Sequence, residues 1–348
     1  MLIIAGPLFA TELEESLLTT DTYISYDYDS KSVMYEKNSN IKISPASLTK
    51  LMTALLLYES NSLNQDINAK FPQGYEYSGK VAYLEEGLVL TTEELLELLL
   101  VYSANDAAYI AAMEISDNID SFVELMNLKA KEIGMVDTLY VNPDGLDELG
   151  HETTLNDLLT LSIYIIENTK LLDITSKKKV FLDLGGTNTF SNTNLLIDEG
   201  FEGLKTGWTS KAGLTFVGFN QNNSRRVITI VNKSFVDTEK INHFIDTKSL
   251  YIKSINDFAV NNLIKSSNVI YKIYNPKSIT NYYPDKEINS FTRTNLAVQE
   301  FIEIKNNKFL ISFNNLEMKE TFNIPSSNYK IDYQFHWSNR FLNNIFND

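Results

Sequence analysis

The chain has 348 residues, of which 43% are hydrophobic, so it is long enough to bury a core as one large domain or two ordinary ones. Its 45 acidic residues outnumber its 30 basic residues, and a formal net charge of −15 disfavours nucleic acid and anionic membrane surfaces as partners. The absence of cysteine excludes disulfides, zinc–thiolate sites and a cysteine nucleophile. No G-x-S-x-G, Walker A or G-x-G-x-x-G pattern occurs, which disfavours α/β hydrolases, P-loop enzymes and Rossmann dehydrogenases.

The N-terminal residues have the pattern of an export signal. The first ten are almost all apolar, and an acidic stretch follows at 11–15. This order is typical of the hydrophobic segment and small-residue end of a secretory signal. We therefore predict a residual signal peptide and N-terminal tail over 1–20, and an exported protein.

Residues 22–37 alternate in polarity around a polar turn, which predicts a β-hairpin. A helix follows, with Ser44 as its predicted N-cap and Pro45 in its first position, because an apolar stripe continues at helical spacing. Further helices are predicted near 92–101, 106–115, 119–133, 154–167 and 237–258, and two strands at 213–220 and 225–233. This mixture of elements predicts an α+β domain over 21–260.

The sequence changes in character after about residue 262. Long helical patterns end, and short β-type runs replace them at 269–274, 297–304, 309–313 and 329–335. We predict a small β-rich domain over 261–333. Residues 334–348 predict an amphipathic helix that either contacts the membrane interface or caps its own domain. Its apolar side is formed by Trp337, Phe341, Leu342, Ile345 and Phe346.

Ser47 and Lys50 form an S-x-x-K pattern at the start of the strongly apolar helix. Residues at i and i+3 share a helix face, so the serine hydroxyl and the lysine ammonium can meet. A serine needs a neighbouring base to become a nucleophile, and a lysine acts as that base when burial or nearby cations lower its pKa. The same pattern begins at Ser39, Ser176 and Ser327, but in polar stretches without such a helix.

Two further patterns accompany the first. Ser103 and Asn105 form an S-x-N after the second predicted helix, and Lys205-Thr206-Gly207 leads into the strand pair. A strand-borne lysine, a hydroxyl and a glycine that permits close backbone approach suit an edge strand that holds an extended peptide. Each pattern alone is weak, because S-x-N recurs in the chain, but their order and context together point to a serine acyl-enzyme.

In these features the chain resembles the penicillin-binding family of serine acyl-enzymes, and more narrowly the D-alanyl-D-alanine carboxypeptidases, the low-molecular-mass penicillin-binding proteins. The resemblance covers roughly residues 20–258. It implies a β-lactamase/transpeptidase-like fold, with an antiparallel sheet and a helical cluster, before the β-rich domain. It rests on the segments 44–54, 103–108, 142–147 with Gly150 and His151, and 205–213.

The resemblance also implies a biological setting. The expected partners are peptidoglycan stem peptides, with β-lactam antibiotics as covalent inhibitors, and no cofactor or metal is expected. The expected location is the outer face of the bacterial cytoplasmic membrane, in the periplasm or cell-wall space.

The chemistry of the three patterns assigns catalytic roles. Ser47 attacks the peptide carbonyl, and Lys50 accepts its proton. Ser103 bridges by hydrogen bond and passes a proton to the leaving amine. Water then hydrolyses the acyl-enzyme, so the predicted product is a stem peptide shortened by its terminal D-alanine.

The remaining site residues are assigned to substrate binding. Asn105 holds the substrate backbone. Lys205 adds positive potential, which keeps Lys50 from binding its proton tightly and attracts a terminal carboxylate, and Thr206 offers that carboxylate a hydroxyl. Gly207 permits the close approach of the backbone.

Two positions depart from the family pattern. Trp208 stands where several relatives have a histidine, although its backbone N–H, with that of Ser47, still suits the oxyanion hole that the resemblance implies. Relatives also often carry an arginine near the start of the closing helix, where this chain offers Lys240 and His243 as replacements for binding the substrate carboxylate.

Two other functions stay open. A class A-like β-lactamase shares the fold and motifs, and its E-x-x-L-N and S-D-N patterns are spelled by 152–156 and 116–118. We prefer the carboxypeptidase, because Ser103 has the better context and a second domain does not suit a compact β-lactamase. The other alternative is a non-catalytic penicillin-binding sensor of the cell wall.

Overall fold

The computed structural model describes residues 17–184, 186–221 and 225–264, and beyond these it describes only short strands. Most of the predicted signal segment and the predicted C-terminal helix over 334–348 lie outside the described residues. Within the described part, no helix is long and apolar enough to cross a membrane. The chain divides into two compact units. The larger comprises Ala10–Asp29 and Val33–Ile252, and the smaller comprises Met1–Phe9, Ser30–Ser32 and Lys253–Asp348.

The described helices, in chain order, are α1 (Lys50–Ser60), α2 (Thr92–Glu97), α3 (Asn105–Ile115), α4 (Ile119–Ile133), α5 (Leu155–Asn168), α6 (Leu171–Thr175) and α7 (Asn242–Asp257). Thr91 and Glu94 form a capping box at the start of α2. The side chains of Asn118 and Thr154 accept hydrogen bonds from the first turns of α4 and α5. The helix starts predicted near 92, 119 and 154 are therefore confirmed.

The segment before α1 differs from the prediction. A 3-10 turn at Ala46–Thr49 precedes the helix, and Ala46 takes a left-handed backbone conformation with φ 49°. The hydroxyl of Ser44 donates to Asp147 Oδ1 at 3.0 Å and does not cap the helix. The prediction of Ser44 as the N-cap is therefore wrong, because the chain turns tightly before the helix begins. The predicted helix over 92–101 likewise changes after Glu97 into a π-helical turn.

The described strands are β1 (Ile3–Ile4), β2 (Thr22–Asp27), β3 (Ser32–Lys37), β4 (Asp66–Asn68), β5 (Val89–Thr91), β6 (Lys179–Asp183), β7 (Thr187–Ser191), β8 (Phe201–Thr209), β9 (Gly213–Asn220), β10 (Val227–Ser234), β11 (Phe258–Ile264), β12 (Tyr271–Asn275), β13 (Ser278–Tyr282), β14 (Ile288–Arg293), β15 (Glu300–Lys305), β16 (Lys308–Phe313), β17 (Met318–Asn323) and β18 (Lys330–Tyr333). The predicted hairpin over 22–37 and the predicted strands at 213–220 and 225–233 are confirmed. The antiparallel pairs β4–β5 and β6–β7 were not predicted, since their strands have only three to five residues each and give a short pattern.

Five of these strands form the sheet of the larger unit, in the order β3-β2-β10-β9-β8. The sheet is antiparallel from β2 to β8. Strand β8 stands at one end of that order and carries the lysine-threonine-glycine pattern, with Lys205 opposite Val217 and Gly207 opposite Thr215 on β9. The expectation of an edge strand at this pattern is confirmed.

Helix α1 forms the centre of the helical cluster. It contacts α2, α3, α4, α5 and α6, and it is apolar on nearly every side, as expected of a helix enclosed by others. Its side chains at Leu51, Met52, Leu55 and Leu57 have no solvent exposure. Full burial of such side chains contributes about 1.5–3 kcal/mol each, so the helix that follows Ser47 is firmly anchored.

The smaller unit is rich in strands, as predicted. Three sheets are described in it, with the orders β1-β14-β11, β13-β12-β18 and β15-β16-β17. Strands β15–β17 pair as an antiparallel meander joined by short connections. Of the strands here, β1, β11, β13, β14 and β17 were not predicted from the sequence.

Candidate active site

Ser47 lies half-buried on the 3-10 turn before α1, and the loop 142–147 packs against that turn. Gly145 has φ +88°, and a Cβ at this position would lie 1.9 Å from the carbonyl oxygen of Ala46. Only glycine permits this close approach, and residues with a side chain rarely adopt this backbone conformation. The side chain of Asn142 accepts the N–H of Gly145 at 2.8 Å and fixes the loop. The backbone of the nucleophile's turn is thereby held in place.

His151 also supports this turn. Its Nδ1 accepts the N–H of Val141 at 3.0 Å, so the ring proton is on Nε2, which donates to Thr49 Oγ1 at 2.7 Å. Burial lowers the pKa of His151 to about 4, so the ring is neutral at pH 7. Its contacts are those of a residue that joins the connecting loop to the nucleophile's turn.

Lys50 lies fully buried, one helical turn after Ser47. Its Nζ donates to Ser47 Oγ at 3.2 Å, to Asn105 Oδ1 at 2.6 Å and to the carbonyl oxygen of Asp144 at 2.6 Å. Burial lowers the pKa of Lys50 to about 8, although the nearby carboxylates of Asp144 and Asp106 oppose the shift. Of the three partner atoms only Ser47 Oγ carries a hydrogen, so a neutral Lys50 directs its lone pair toward Ser47.

Asn105 is positioned by a loop that the sequence did not reveal. Its Nδ2 donates to the carbonyl oxygen of Ser78 at 2.8 Å, which leaves Oδ1 turned toward the lysine. The adjacent Asp106 is fully buried, and its carboxylate accepts the N–H groups of Ala82 at 3.0 Å and Leu84 at 2.9 Å. This carboxylate ties the loop to the start of α3 and so fixes the wall that carries Asn105.

Ser103 sits in a left-handed conformation with φ 71°, between the π-helical turn and α3. Its Oγ accepts a hydrogen bond from Lys205 Nζ at 2.9 Å, and the lysine also donates to the carbonyl oxygen of Thr206 at 2.9 Å. Burial, with the charges of Lys50 and Lys80, holds the pKa of Lys205 well below its usual value. Since Lys205 Nζ donates to Ser103 Oγ, the serine's own hydrogen is left to donate elsewhere.

Strand β8 approaches the nucleophile closely at Gly207. A Cβ there would lie 2.8 Å from the methyl of Thr215 and 3.2 Å from the backbone nitrogen of Ser47, so a larger residue would separate strand and turn. Thr206, the residue before Gly207, donates from Oγ1 to Thr193 Oγ1 at 2.7 Å. Trp208, the residue after it, is 47% exposed.

A cavity of about 850 Å³ joins these groups. The predicted site residues that line it are Ser47, Ser103, Asn105, Thr206, Gly207 and Trp208. The other two, Lys50 and Lys205, are buried behind the lining and reach it through Ser47 and Ser103. All eight predicted residues therefore belong to one cluster, while their individual roles stay predictions.

The far end of the cavity contains both candidates for the missing arginine. Lys240 Nζ lies 3.9 Å from the ring centroid of Trp208, on the cavity lining. His243 is 5% exposed and packs its ring against Phe244, with centroids 3.9 Å apart. Burial lowers the pKa of His243 to about 4, so it is neutral at pH 7. Lys240 is therefore the better placed cation for a substrate carboxylate.

The residues that spell the β-lactamase patterns lie elsewhere. Glu152 forms an ion pair with Lys42, and it does not line the cavity. Ser116 ends α3 and is also absent from the cavity lining. Neither Glu152 nor Ser116 therefore lines the cavity that contains Ser47.

A buried lysine hydrogen-bonded to a serine, beside an edge strand with a second lysine, defines a class of acyl-enzymes with a serine–lysine pair. Residues 10–235 match the model of peptidase family S11, described as D-alanyl-D-alanine carboxypeptidase, and the chain belongs to this family. The predicted resemblance is thus confirmed.

Curated relatives agree with this assignment. The chain is 32% identical over 211 residues to the D-alanyl-D-alanine carboxypeptidase DacF of Bacillus subtilis and 29% identical over 229 residues to DacA of Haemophilus influenzae. These matches cover 58% and 62% of the chain but only 54% and 57% of the relatives. A D-alanyl-D-alanine endopeptidase of Pseudomonas aeruginosa is 30% identical over 251 residues, which is 70% of the chain and 79% of that protein.

Solved structures confirm the fold. The D-alanyl-D-alanine carboxypeptidase DacD of Francisella tularensis superposes with a TM-score of 0.72 over 94% of the chain and 95% of its own, at 18% identity. Penicillin-binding protein D2 of Listeria monocytogenes, solved with cefotaxime bound, has a TM-score of 0.60 at 29% identity and covers 68% of the chain and 98% of its own. The predicted transpeptidase-like fold is therefore confirmed.

Proposed function

We propose that this chain is a serine D-Ala-D-Ala carboxypeptidase that removes the terminal D-alanine from peptidoglycan stem pentapeptides through an acyl-enzyme on Ser47. The observation that carries the proposal is the placement of Lys50. Its buried amine lies 3.2 Å from the Ser47 hydroxyl, and its pKa is lowered to about 8. A base of this kind is what an otherwise unreactive serine requires.

In the acylation step, Ser47 Oγ gives its proton to Lys50 and attacks the carbonyl carbon between the last two D-alanines. The negative oxygen that develops needs fixed N–H donors. The backbone N–H groups of Ser47 and Trp208 are the proposed donors, which is in keeping with the close passage of strand β8 beside the Ser47 nitrogen.

The collapse of this intermediate breaks the peptide bond, and the leaving amine of D-alanine takes a proton from the Ser103 hydroxyl. Lys205, which donates to Ser103 at 2.9 Å, then restores that proton. The proton that Lys50 took from Ser47 then replaces the one that Lys205 gave up, so Lys50 is neutral again. A water molecule attacks the ester on Ser47 and gives a proton to Lys50, which passes that proton to Ser47 Oγ when the ester bond breaks. The products are D-alanine and the shortened peptide, and the serine is regenerated.

The terminal carboxylate of the substrate is proposed to lie between strand β8 and Lys240. Lys240 offers an ammonium on the cavity lining, and Thr206 offers its hydroxyl in exchange for the hydrogen bond that it donates to Thr193 in the free protein. Lys205 acts on the carboxylate through its positive potential alone, because its ammonium is buried and already donates to Ser103 and to a backbone carbonyl. Asn105 faces the cavity, where it is proposed to hold the substrate backbone.

β-Lactams are proposed to acylate the same serine. The Listeria protein at 29% identity was solved in cefotaxime-bound and ampicillin-bound forms. We infer that Ser47 Oγ opens the lactam ring by the same nucleophilic attack with which it cleaves the peptide bond.

The proposed substrate also implies a location. Cell-wall stem peptides lie outside the cytoplasmic membrane, and the apolar start of the chain has the pattern of an export signal. We therefore propose that the protein acts at the outer face of that membrane, which its C-terminal residues contact peripherally.

A related activity is an endopeptidase that cleaves the same bond in cross-linked peptides. The 30% identity to the Pseudomonas endopeptidase favours including it in the test. The two activities act on the same chemical bond and differ in whether the leaving amine belongs to free D-alanine or to a neighbouring peptide.

The test is incubation of the full chain with a muropeptide that ends in D-Ala-D-Ala and with a cross-linked muropeptide, followed by mass analysis. Release of D-alanine supports the carboxypeptidase, and separation of the cross-link supports the endopeptidase. Fluorescent penicillin followed by peptide mass mapping locates the acylated residue. Rapid hydrolysis of penicillin with no action on peptides would favour a β-lactamase, and labelling without turnover would favour a sensor.

Ser47→Ala is the decisive variant, and Ser210→Ala is its matched control, because Ser210 is another hydroxyl on the lining of the same cavity. We expect Ser47→Ala to abolish labelling and D-alanine release while the thermal melt is retained. The control is expected to keep both. Persisting label on another serine in Ser47→Ala would overturn the assignment.

A further inference from the structure

A second, smaller cavity lies beside the active-site cavity. It has a volume of about 270 Å³ and is formed by the loop 72–78, by Tyr109 of α3 and by Asp144 and Leu146 of the connecting loop. Leu146 lines both cavities, so they are immediate neighbours. This volume suits a single side chain, whereas pockets for whole small molecules are usually larger.

Asp144 gives this cavity a buried carboxylate oxygen. The residue is 2% exposed, its backbone carbonyl accepts Lys50, and its Oδ1 accepts the N–H of Leu146 at 3.1 Å. Its Oδ2 is buried and has no hydrogen-bond partner among the described residues. A buried carboxylate oxygen without a donor is costly, so this oxygen suits a donor brought by a ligand.

The same cavity holds a second unsatisfied group and aromatic walls. The hydroxyl of Tyr75 is buried and, within the described part of the chain, has no hydrogen-bond partner. Its ring stacks on Phe71 at 4.5 Å and lies 4.9 Å from the ring of Tyr109. The faces of such rings attract cations. Burial and the charges of Asp144 and Glu148 raise the pKa of Tyr109 to about 12, so its phenol is neutral at physiological pH.

The described lining of the smaller cavity is acidic, whereas the lining of the larger one carries charges of both signs. Its described lining includes the carboxylates of Asp144 and Glu76 and neither lysine nor arginine. The larger cavity has Lys80 and Lys240 on its lining, but also Asp147 and Glu239. With Lys240 proposed for the terminal carboxylate, the acidic smaller cavity suits a substrate that carries a positive charge further along.

We propose that the smaller cavity is a subsite for a protonated amine, carried by the side chain of the substrate residue that precedes D-Ala-D-Ala. This inference rests on the proposed function. There the terminal carboxylate lies toward Lys240, so the acyl part of the peptide runs toward Leu146, where the two cavities meet. The ammonium donates to Asp144 Oδ2 and to the oxygen of Tyr75, and its aliphatic stem lies against Tyr109.

The test compares two peptides that differ only in that amine. One is Nα-acetyl-L-lysyl-D-Ala-D-Ala, and the other carries an additional acetyl group on the lysine side chain, which removes the charge and blocks the site. The measured quantity is the ratio of their kcat/KM values, at about 0.15 M salt to screen long-range attraction. Because both peptides use the same Ser47 and Lys50, the ratio cancels any effect of a variant on the catalytic lysine.

We expect the wild-type protein to prefer the free amine by about tenfold, as befits a charge-assisted hydrogen bond to a buried carboxylate. Asp144→Asn should bring the ratio to within about twofold of unity, and Tyr75→Phe should reduce it by at least about twofold. Glu86→Gln is the matched control, because Glu86 is an exposed carboxylate of the same region that lines neither cavity. Its ratio should equal that of the wild type.

Equal kcat/KM values for the two peptides in the wild type would overturn the subsite, as would an unchanged preference in Asp144→Asn. If Asp144→Asn does not fold, as judged by its thermal melt, an unchanged preference in Tyr75→Phe overturns the proposal instead. The failure of the proposed function looks different, because then neither peptide is hydrolysed and penicillin does not label Ser47.

Discussion

The pH dependence of acylation is the sharpest test of Lys50 as the base. Only the neutral amine accepts the proton of Ser47, so the rate should rise as Lys50 loses its own proton. With a pKa of about 8, the neutral fraction is roughly a tenth at pH 7 and roughly nine tenths at pH 9. We therefore expect the second-order rate constant for acylation by penicillin to rise about tenfold across this interval.

The assay measures acylation by a fluorescent penicillin in stopped flow from pH 6 to pH 10. Lys80→Gln is the informative variant. Burial is the main cause of the lowered Lys50 pKa, but the positive charge of Lys80 lowers it further. Removing that charge makes Lys50 easier to protonate, so the whole profile should move to higher pH. Lys131→Gln removes an exposed lysine far along α4 and should leave the profile unchanged.

Lys50→Arg completes the test, because a guanidinium stays protonated throughout this range. We expect acylation in this variant to fall by orders of magnitude and to show no rise between pH 7 and pH 9. A flat profile in the wild type, or a normal rise in Lys50→Arg, would refute the assignment of Lys50 as the base.

Two further predictions concern the loop and the far end of the cleft. Gly145→Ala should destabilise the fold by about 3 kcal/mol or more in denaturant unfolding, since the new Cβ meets the Ala46 carbonyl oxygen. Gly74→Ala has a similar φ but open space and should cost only about 1 kcal/mol, so equal losses would contradict the clash. Lys240→Met should raise KM for a D-Ala-D-Ala peptide about tenfold with little change in kcat, whereas exposed Lys211→Met should not.

The parts of the site that sequence patterns could predict are those encoded by local spacing. Ser47 and Lys50 are three residues apart on a helical segment, so their contact follows from helix geometry. Gly207 and Lys205 belong to one strand, and the placement of that strand at the sheet edge follows from the family's order of motifs. Contacts of this kind depend on a few residues that are close in sequence, so a short sequence pattern can predict them.

Hydrogen bonds accepted by backbone carbonyl oxygens could not be predicted from sequence patterns. The carbonyl oxygens of Ser78 and Asp144 hold Asn105 and Lys50, but any residue type supplies a carbonyl oxygen. Lys80 reaches the cavity from a loop without periodicity, and no motif marked it. The prediction for Ser44 failed for a related reason: its hydroxyl had a tertiary partner in Asp147, which outweighed its local preference to cap a helix.

A second buried lysine, Lys129, can be compared with Lys50, because its partners include carboxylates whereas the acceptors around Lys50 are neutral. Lys129 is also buried, at 8% exposed, but it donates to the carboxylate of Glu132 and pairs with Glu59. Burial lowers its pKa, yet the hydrogen bonds to these carboxylates outweigh burial and raise it. Lys50 is kept titratable because its three acceptors are a hydroxyl, an amide and a carbonyl.

Asp144 contains both kinds of acceptor, a neutral backbone carbonyl and a carboxylate. It gives Lys50 its backbone carbonyl, while one carboxylate oxygen accepts Leu146 and the other is left beside the smaller cavity. A carboxylate in direct contact with the ammonium would hold its proton, as at Lys129. The conformation of the connecting loop, fixed by Gly145, therefore has two results: the carbonyl oxygen of Asp144 accepts Lys50, and one of its carboxylate oxygens is left without a hydrogen-bond partner beside the smaller cavity.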